Sequence, residues 1–161
     1  MKSLMMSIFL CAASAVFGTT PHVYVTDQGG AAVAIIDVDR NTVHTIFGFS
    51  HPHVVHIAFD GMTAYVGDDT DHILKINCME HTVSSVGYIS AHPVAIEMLP
   101  DASFLYTVNH DDSVSIIDLS NDTIAGQLYG FSSPQDIQTT LDGAFLYVTN
   151  KVNCIFRLIV L

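Results

Sequence analysis

From residue 22 onward, the chain alternates short apolar runs with polar turns. The runs are rich in Val, Ile, Tyr and Thr, and Asp, Asn, Gly and Pro separate them. β-Branched and aromatic runs bounded by such turn-forming residues are typical of strands. No segment after the amino-terminal apolar stretch keeps the spacing of an amphipathic helix. The pattern therefore predicts an all-β domain.

The pattern repeats every 41 residues, so that repeat units start near residues 24, 65, 106 and 147. Three kinds of residue keep this step, namely Tyr24, Tyr65, Tyr106 and Tyr147; Pro52, Pro93 and Pro134; and Asp60, Asp101 and Asp142. Each full unit holds four apolar runs. A four-stranded unit of about 40–45 residues is the period of a propeller blade. The repeat therefore predicts four-stranded antiparallel blades.

The unit resembles the YVTN-family β-propeller repeat. Tyr147-Val148-Thr149-Asn150 matches the Tyr-Val-Thr-Asn signature letter for letter, and Tyr24-Val25-Thr26-Asp27 differs only at its last residue. The family's segment from Pro to Asp-Gly is matched by Pro52 to Gly61 and by Pro134 to Gly143. The second unit departs, with Ala102 in place of Gly. The resemblance implies a propeller fold and says little about activity, because family members differ in function.

The resemblance covers about residues 22–153 and implies blades with strands A to D from the axis outward. By this labelling, residues 19–161 hold fourteen strands: B, C and D of one blade, two whole blades, and A, B and a candidate C of another. Natural rings have about four to eight blades, so these three and a half blades predict an incomplete ring. Two explanations stay open. Either a homodimer completes the ring, or the chain is a truncated form of a longer propeller.

Residues 1–18 have the layout of a secretory signal peptide. Lys2 gives a positive start, an apolar stretch follows, and Gly18 ends a tolerated cleavage site before Thr19. The apolar stretch is shorter than the roughly 20 residues of a membrane span. The sequence therefore predicts a signal peptide at 1–18 and a repeat domain at 19–161. It also predicts a secreted or periplasmic protein that is free of the membrane after cleavage.

The chain is strongly acidic, with five basic and sixteen acidic residues and a formal net charge of −11. Binding to a phosphate backbone needs clustered Lys and Arg, and docking on an anionic membrane needs the same. The charge therefore argues against a nucleic-acid or membrane-surface partner.

One face of the predicted blades gathers His and Asp residues. Strand direction reverses at each step, so the loops that join D to A and B to C lie on the same face. These loops carry His51, His53, His92 and His110, with Asp68, Asp69, Asp71, Asp111 and Asp112. Imidazole and carboxylate groups bind Zn, Cu and other divalent ions, although Asp is also an ordinary turn residue. We predict this face as the ligand-binding surface.

A second candidate lies on the innermost strands. His56, Glu97 and Gln138 each follow the repeat proline by four residues. They would form a polar ring near the channel, or they would pack as partnered polar groups between blades.

The sequence carries no catalytic motif that we can support, since it lacks Gly-x-Ser-x-Gly, His-Glu-x-x-His and Cys-x-x-Cys-His. It therefore predicts a non-enzymatic scaffold that needs no cofactor. Loops on one face of a rigid scaffold would bind a protein, a glycan or a small ligand. The alternative is a metal-binding or enzymatic propeller, lactonase-like or oxidoreductase-like, with a divalent metal ion at the His/Asp face.

Overall fold

The computed structural model describes residues 10–12, 22–152 and 157–160, the first and last of these ranges as strand backbone only. The described residues form fifteen strands and no helix, so they include no helix that is long and apolar enough to cross a membrane.

The strands make four antiparallel sheets in chain order. Sheet 1 contains β1 (Leu10–Ala12), β2 (His22–Asp27), β3 (Ala32–Asp37) and β4 (Thr42–Phe47). Sheet 2 contains β5 (Val54–Ile57), β6 (Thr63–Gly67), β7 (His72–Asn77) and β8 (Thr82–Tyr88). Sheet 3 contains β9 (Pro93–Met98), β10 (Phe104–Asn109), β11 (Val114–Asp118) and β12 (Thr123–Leu128). Sheet 4 contains β13 (Pro134–Thr139), β14 (Phe145–Asn150) and β15 (Arg157–Val160).

Each sheet follows the chain, with every strand hydrogen-bonded to the one before it. The first strands of consecutive sheets, β1, β5, β9 and β13, lie beside one another. The sheets are therefore propeller blades with their first strands innermost, and they do not close into a ring. This confirms the predicted fold class, an incomplete propeller of four-stranded blades.

The strand register confirms the 41-residue period. The repeat tyrosine of the second strand faces the inner-strand polar position in every sheet where both lie in the described residues. The Cα partners are Tyr65 and His56, Tyr106 and Glu97, and Tyr147 and Gln138. Equivalent sequence positions thus occupy equivalent places in successive blades.

The described residues after position 19 form the predicted fourteen strands, β2 to β15, and the first sheet has an additional inner strand from within the predicted signal peptide. In β1, Leu10, Cys11 and Ala12 pair with Val25, Tyr24 and Val23 of β2. The physical reason is that the inner edge of β2 otherwise presents unpaired N–H and C=O groups, which an apolar extended segment can satisfy. Most of the predicted signal peptide lies outside the described residues.

The core lies between the sheets. Three buried clusters each join side chains of two consecutive sheets. The repeat tyrosines belong to these clusters: Tyr24 packs against sheet 2, Tyr65 against sheet 3 and Tyr106 against sheet 4. Burial raises the pKa of Tyr65 to about 12. The signature residue is therefore a blade-packing residue in these three sheets.

The second repeat departs from the signature at Gly67, where the other units have Thr or Val. A Cβ atom at Gly67 would lie 2.2 Å from Cγ of Pro93. Only Gly lets the inner strand of sheet 3 approach β6 this closely.

In sheets 2, 3 and 4, the turn between the first and second strands holds a residue in the left-handed conformation. Gly61 and Gly143 have φ angles of 68° and 69°, and Ala102 has a φ of 58° at the equivalent position. A left-handed conformation costs an L-residue with a Cβ roughly 1–2 kcal/mol, whereas Gly adopts it freely. Ala102 is therefore a strained position in an otherwise regular repeat.

We expect Ala102→Gly to raise the free energy of unfolding by about 0.5–1 kcal/mol, because the relief of strain exceeds the added entropy of the unfolded chain. Urea denaturation measures this change. The reciprocal control, Gly143→Ala, should lower stability by about 1 kcal/mol. A loss of stability in Ala102→Gly would contradict the argument.

Candidate functional site

The loops at one end of the sheets form a single hydrogen-bonded surface, which we call the loop face. It comprises the loops that join consecutive sheets and the loops between second and third strands. Backbone N–H groups of the second kind of loop donate to carbonyl groups of the first kind: Asp69 to Ser50 at 2.8 Å, His110 to His92 at 3.0 Å, and Lys151 to Ser133 at 2.9 Å. This confirms the prediction that both kinds of loop lie on one face.

The last residue of the signature anchors these loops. Asp68 is 1% exposed. Its Oδ2 accepts from the Ser50 N–H at 2.9 Å, and its Oδ1 accepts from the N–H of Thr70 at 3.0 Å and the Thr70 hydroxyl at 2.5 Å. In sheet 4, Asn150 Oδ1 accepts from the Ser132 N–H at 3.1 Å in the same way. Asp68 therefore lies beneath the loop face and holds its backbone.

Asp69 is the centre of a histidine cluster on the surface. His53 Nε2 hydrogen-bonds to Asp69 Oδ1, and His51 Nδ1 lies 3.4 Å from Asp69 Oδ2. The Gln28 amide, from sheet 1, contacts His53 Nδ1 at 2.5 Å. In the neutral ring, a donating amide at Nδ1 leaves the proton on Nε2, which then donates to Asp69. The cluster thus joins loops of sheets 1 and 2.

Charge in this cluster keeps Asp69 ionised. Partial burial acts to raise the pKa of Asp69, but the hydrogen bond from His53 and the charges of His53, His92 and His51 outweigh it, so its pKa is lowered. Asp69 is therefore a carboxylate surrounded by imidazoles across the neutral pH range.

A second contact between a histidine and an aspartate continues the cluster towards sheet 3. His92 Nδ1 lies 2.8 Å from Asp71 Oδ1. The His92 ring meets the His110 ring edge to face, with centroids 6.3 Å apart. Asp71 adopts a left-handed φ of 58°, which Asp tolerates better than most residues. The predicted residues His51, His53, Asp69, Asp71, His92 and His110 thus share one continuous stretch of surface.

The remaining predicted acids are engaged in the loops. Asp111 Oδ1 accepts from the Ser113 N–H at 3.2 Å and hydroxyl at 2.5 Å, and its Oδ2 accepts from the Ser90 hydroxyl at 2.9 Å. Asp112 Oδ1 accepts from the Ser133 N–H at 2.7 Å. These contacts describe turn-stabilising roles, and a ligand role for Asp68, Asp111 or Asp112 stays a prediction.

The inner strands bring together two of the three predicted polar residues. His56 Nδ1 lies 3.9 Å from Glu97 Oε2. Glu97 Oε1 accepts from Thr139, at 3.1 Å from its N–H and 2.9 Å from its hydroxyl. Gln138 is exposed. The polar row that runs across sheets 2, 3 and 4 therefore consists of His56, Glu97 and Thr139, and Thr139 takes the place predicted for Gln138.

Burial favours the neutral form of His56 in this row. Burial lowers its pKa, and the nearby charge of Glu97 compensates only in part. Its Nε2 is buried and has no hydrogen-bond partner among the described residues.

A further histidine group, which the sequence analysis missed, lies at the other end of sheets 1 and 2. The rings of His44 and His81 stack with centroids 4.2 Å apart. They line a cleft of about 290 Å³ together with His22 and Asp37. Burial and the charges of His44 and His22 lower the pKa of His81. These residues share no repeat position, so the period gives no signal for them.

The arrangement offers imidazole donors and acceptors beside fixed carboxylates. Among residues 10–12, 22–152 and 157–160, no group of three or more His, Cys, Asp or Glu side chains is arranged to hold a metal ion. The histidine rings and the aspartates of the loop face can donate and accept hydrogen bonds.

Comparison with known proteins supports the fold alone. No protein-family model matches the chain, and no curated protein matches it. Among solved structures, the chain is similar to a chain of Kuenenia stuttgartiensis hydrazine synthase, with a TM-score of 0.76 and 16% sequence identity. The match covers 85% of this chain and 41% of that chain. The chain thus spans less than half of that chain's length and shares its propeller-like β architecture.

Proposed function

We propose that the protein is a non-enzymatic binding scaffold that engages a protein, glycan or small ligand through the loop face. The observation that carries the proposal is the histidine cluster around Asp69, which several loops build jointly on rigid sheets. Loops held by a rigid scaffold are where binding residues concentrate. The exposed rings and fixed carboxylates supply hydrogen bonding in a defined geometry at low entropic cost.

We also propose that the scaffold is of the YVTN type and is secreted or periplasmic. The Tyr-Val-Thr-Asn motif at 147–150 supports the first part, and the layout of residues 1–18 supports the second. An exported product whose intact mass begins at Thr19 is the direct test of export, and such a product would lack β1 and leave β2 as the inner strand of sheet 1.

The loop-face proposal is tested with random peptides displayed on phage as the probe. Peptides selected on the full chain should bind where a preorganised surface exists, and we expect most to bind the loop face. The double variant His51→Ala/His92→Ala should weaken these peptides by roughly tenfold or more, about 1.4 kcal/mol. Biolayer interferometry measures the affinity change.

The matched control replaces two histidines at the opposite end, His44→Ala/His81→Ala, and should leave peptide affinity unchanged. The proposal would be contradicted if the peptides bound the loop-face variant as tightly as the unchanged chain, or if both variants lowered their affinity equally.

Calorimetric titration of both variants with Zn²⁺ tests the metal-dependent alternative. Stoichiometric Zn²⁺ binding that only the loop-face variant abolishes would favour a metal-binding or enzymatic propeller instead.

A further inference from the structure

The repeat tyrosine is buried in every sheet that another described sheet covers. Tyr24, Tyr65 and Tyr106 are 3%, 6% and 3% exposed, and Tyr147 of sheet 4 is 42% exposed. Among the described residues, no sheet packs on the face of sheet 4 that carries Tyr147. That face has the position of the three internal sheet-packing faces and keeps their tyrosine, but it is partly open.

The opposite face of sheet 1 is the complementary open surface. In sheets 2, 3 and 4, the side chains of the second strand that point back to the preceding sheet are fully buried: Ala64, Val66, Leu105, Leu146 and Val148 are all 0% exposed. The equivalent residues of sheet 1, Val23 and Val25, are only partly buried. Sheet 1 thus presents an apolar face of the kind that receives a tyrosine-bearing sheet.

The two open faces are the halves of one interface that the chain already makes three times. Each internal contact places a tyrosine face on a Val- or Leu-bearing face. We propose that two copies of the chain associate head to tail, with sheet 4 of each copy packed on sheet 1 of the other. Two copies bring eight sheets, which lies within the range of about four to eight blades in closed rings. Because sheet 4 of each copy contacts sheet 1 of the other, the contact between unlike faces forms twice and closes the two copies into one ring.

The charge of the chain predicts how association responds to salt. With a formal net charge of −11, two copies repel one another, and sheet 4 adds the exposed Asp136 near the proposed contact. The attractive part is apolar burial, which salt does not screen. Dimerisation should therefore strengthen between about 0.05 M and 0.5 M salt, since screening weakens only the repulsion.

The experiment is sedimentation equilibrium of the full chain and of two variants, Tyr147→Asp and Val25→Asp. We expect a dimer for the wild-type chain and monomers for each variant. An equimolar mixture of the two variants should regain a dimer, because Val25 of the Tyr147→Asp chain and Tyr147 of the Val25→Asp chain still form one intact interface. A two-fold interface between identical faces could not be rescued by mixing.

Matched controls lie on exposed outer strands. Tyr88→Asp on β8 and Val43→Asp on β4 replace residues that are 60% and 64% exposed, and both variants should remain dimeric.

Hydroxyl-radical footprinting of the wild-type chain gives a readout that needs no variant. Tyr147 should become protected as protein concentration rises, and Tyr88 should not. A monomeric wild-type chain, open filaments, failure of the mixture to associate, or protection of neither tyrosine would overturn the proposal.

Discussion

Asn109→Leu should lower the free energy of unfolding by about 2–4 kcal/mol, although the two side chains are similar in size. Asn109 is fully buried at the end of β10. Its Oδ1 accepts from the Thr107 hydroxyl at 2.9 Å, and its Nδ2 lies 3.0 Å from Ser113 Oγ and 2.8 Å from Ser115 Oγ. Leucine removes all three contacts and leaves buried hydroxyl groups behind, which costs more than the bonds themselves contribute.

A double-mutant cycle with Thr107→Val separates this explanation from simple mispacking. Thr107 is also 0% exposed, and its hydroxyl loses its acceptor once Asn109 is replaced. Valine removes that hydroxyl, so the double variant should be more stable than the sum of the single changes by about 1 kcal/mol or more. Urea denaturation of the four proteins measures the coupling. Strict additivity would mean that the Asn109 network carries no shared energy.

The fold could be predicted because its information is local and repeated. The tyrosine, proline and aspartate markers keep one step, and pairs such as Tyr106 with Glu97 show that the step corresponds to blade register. The strand β1 could not be predicted in this way. An apolar run such as Leu10–Ala12 satisfies both the requirements of export and those of a sheet edge, and hydrophobic pattern alone does not separate the two.

The loop face was predictable in outline and not in detail. Strand reversal alone places His51, His92 and Asp69 on one face. The sequence could not distinguish Asp68 from Asp69, because adjacent residues of a turn point in directions that depend on the packing of neighbouring loops. Asp68 points inward to the Ser50 N–H, whereas Asp69 meets His53. Gln28 was missed for the same reason, since its contact with His53 spans two sheets.

The anchoring role of Asp68 gives the second large expected effect. Asp68→Ala should lower the free energy of unfolding by about 2–4 kcal/mol, because the N–H groups of Ser50 and Thr70 lose their acceptors in a buried site. Thermal and urea denaturation measure the loss. Retained stability would mean that water replaces the carboxylate at little cost.

The structure offers its own control for this change. In sheet 4 an amide performs the same task, since Asn150 Oδ1 accepts from the Ser132 N–H at 3.1 Å. Asp68→Asn keeps one acceptor oxygen, so it should lower the free energy of unfolding by only about 1 kcal/mol.

Asp68 also fixes Ser50 beside His51, so Asp68→Ala should disorder the histidine cluster as well. We therefore expect peptides that bind the loop face to lose affinity for Asp68→Ala and to keep most of it for Asp68→Asn. Equal losses in the two variants would show that the charge of Asp68, rather than its hydrogen bonds to the loops, supports the face.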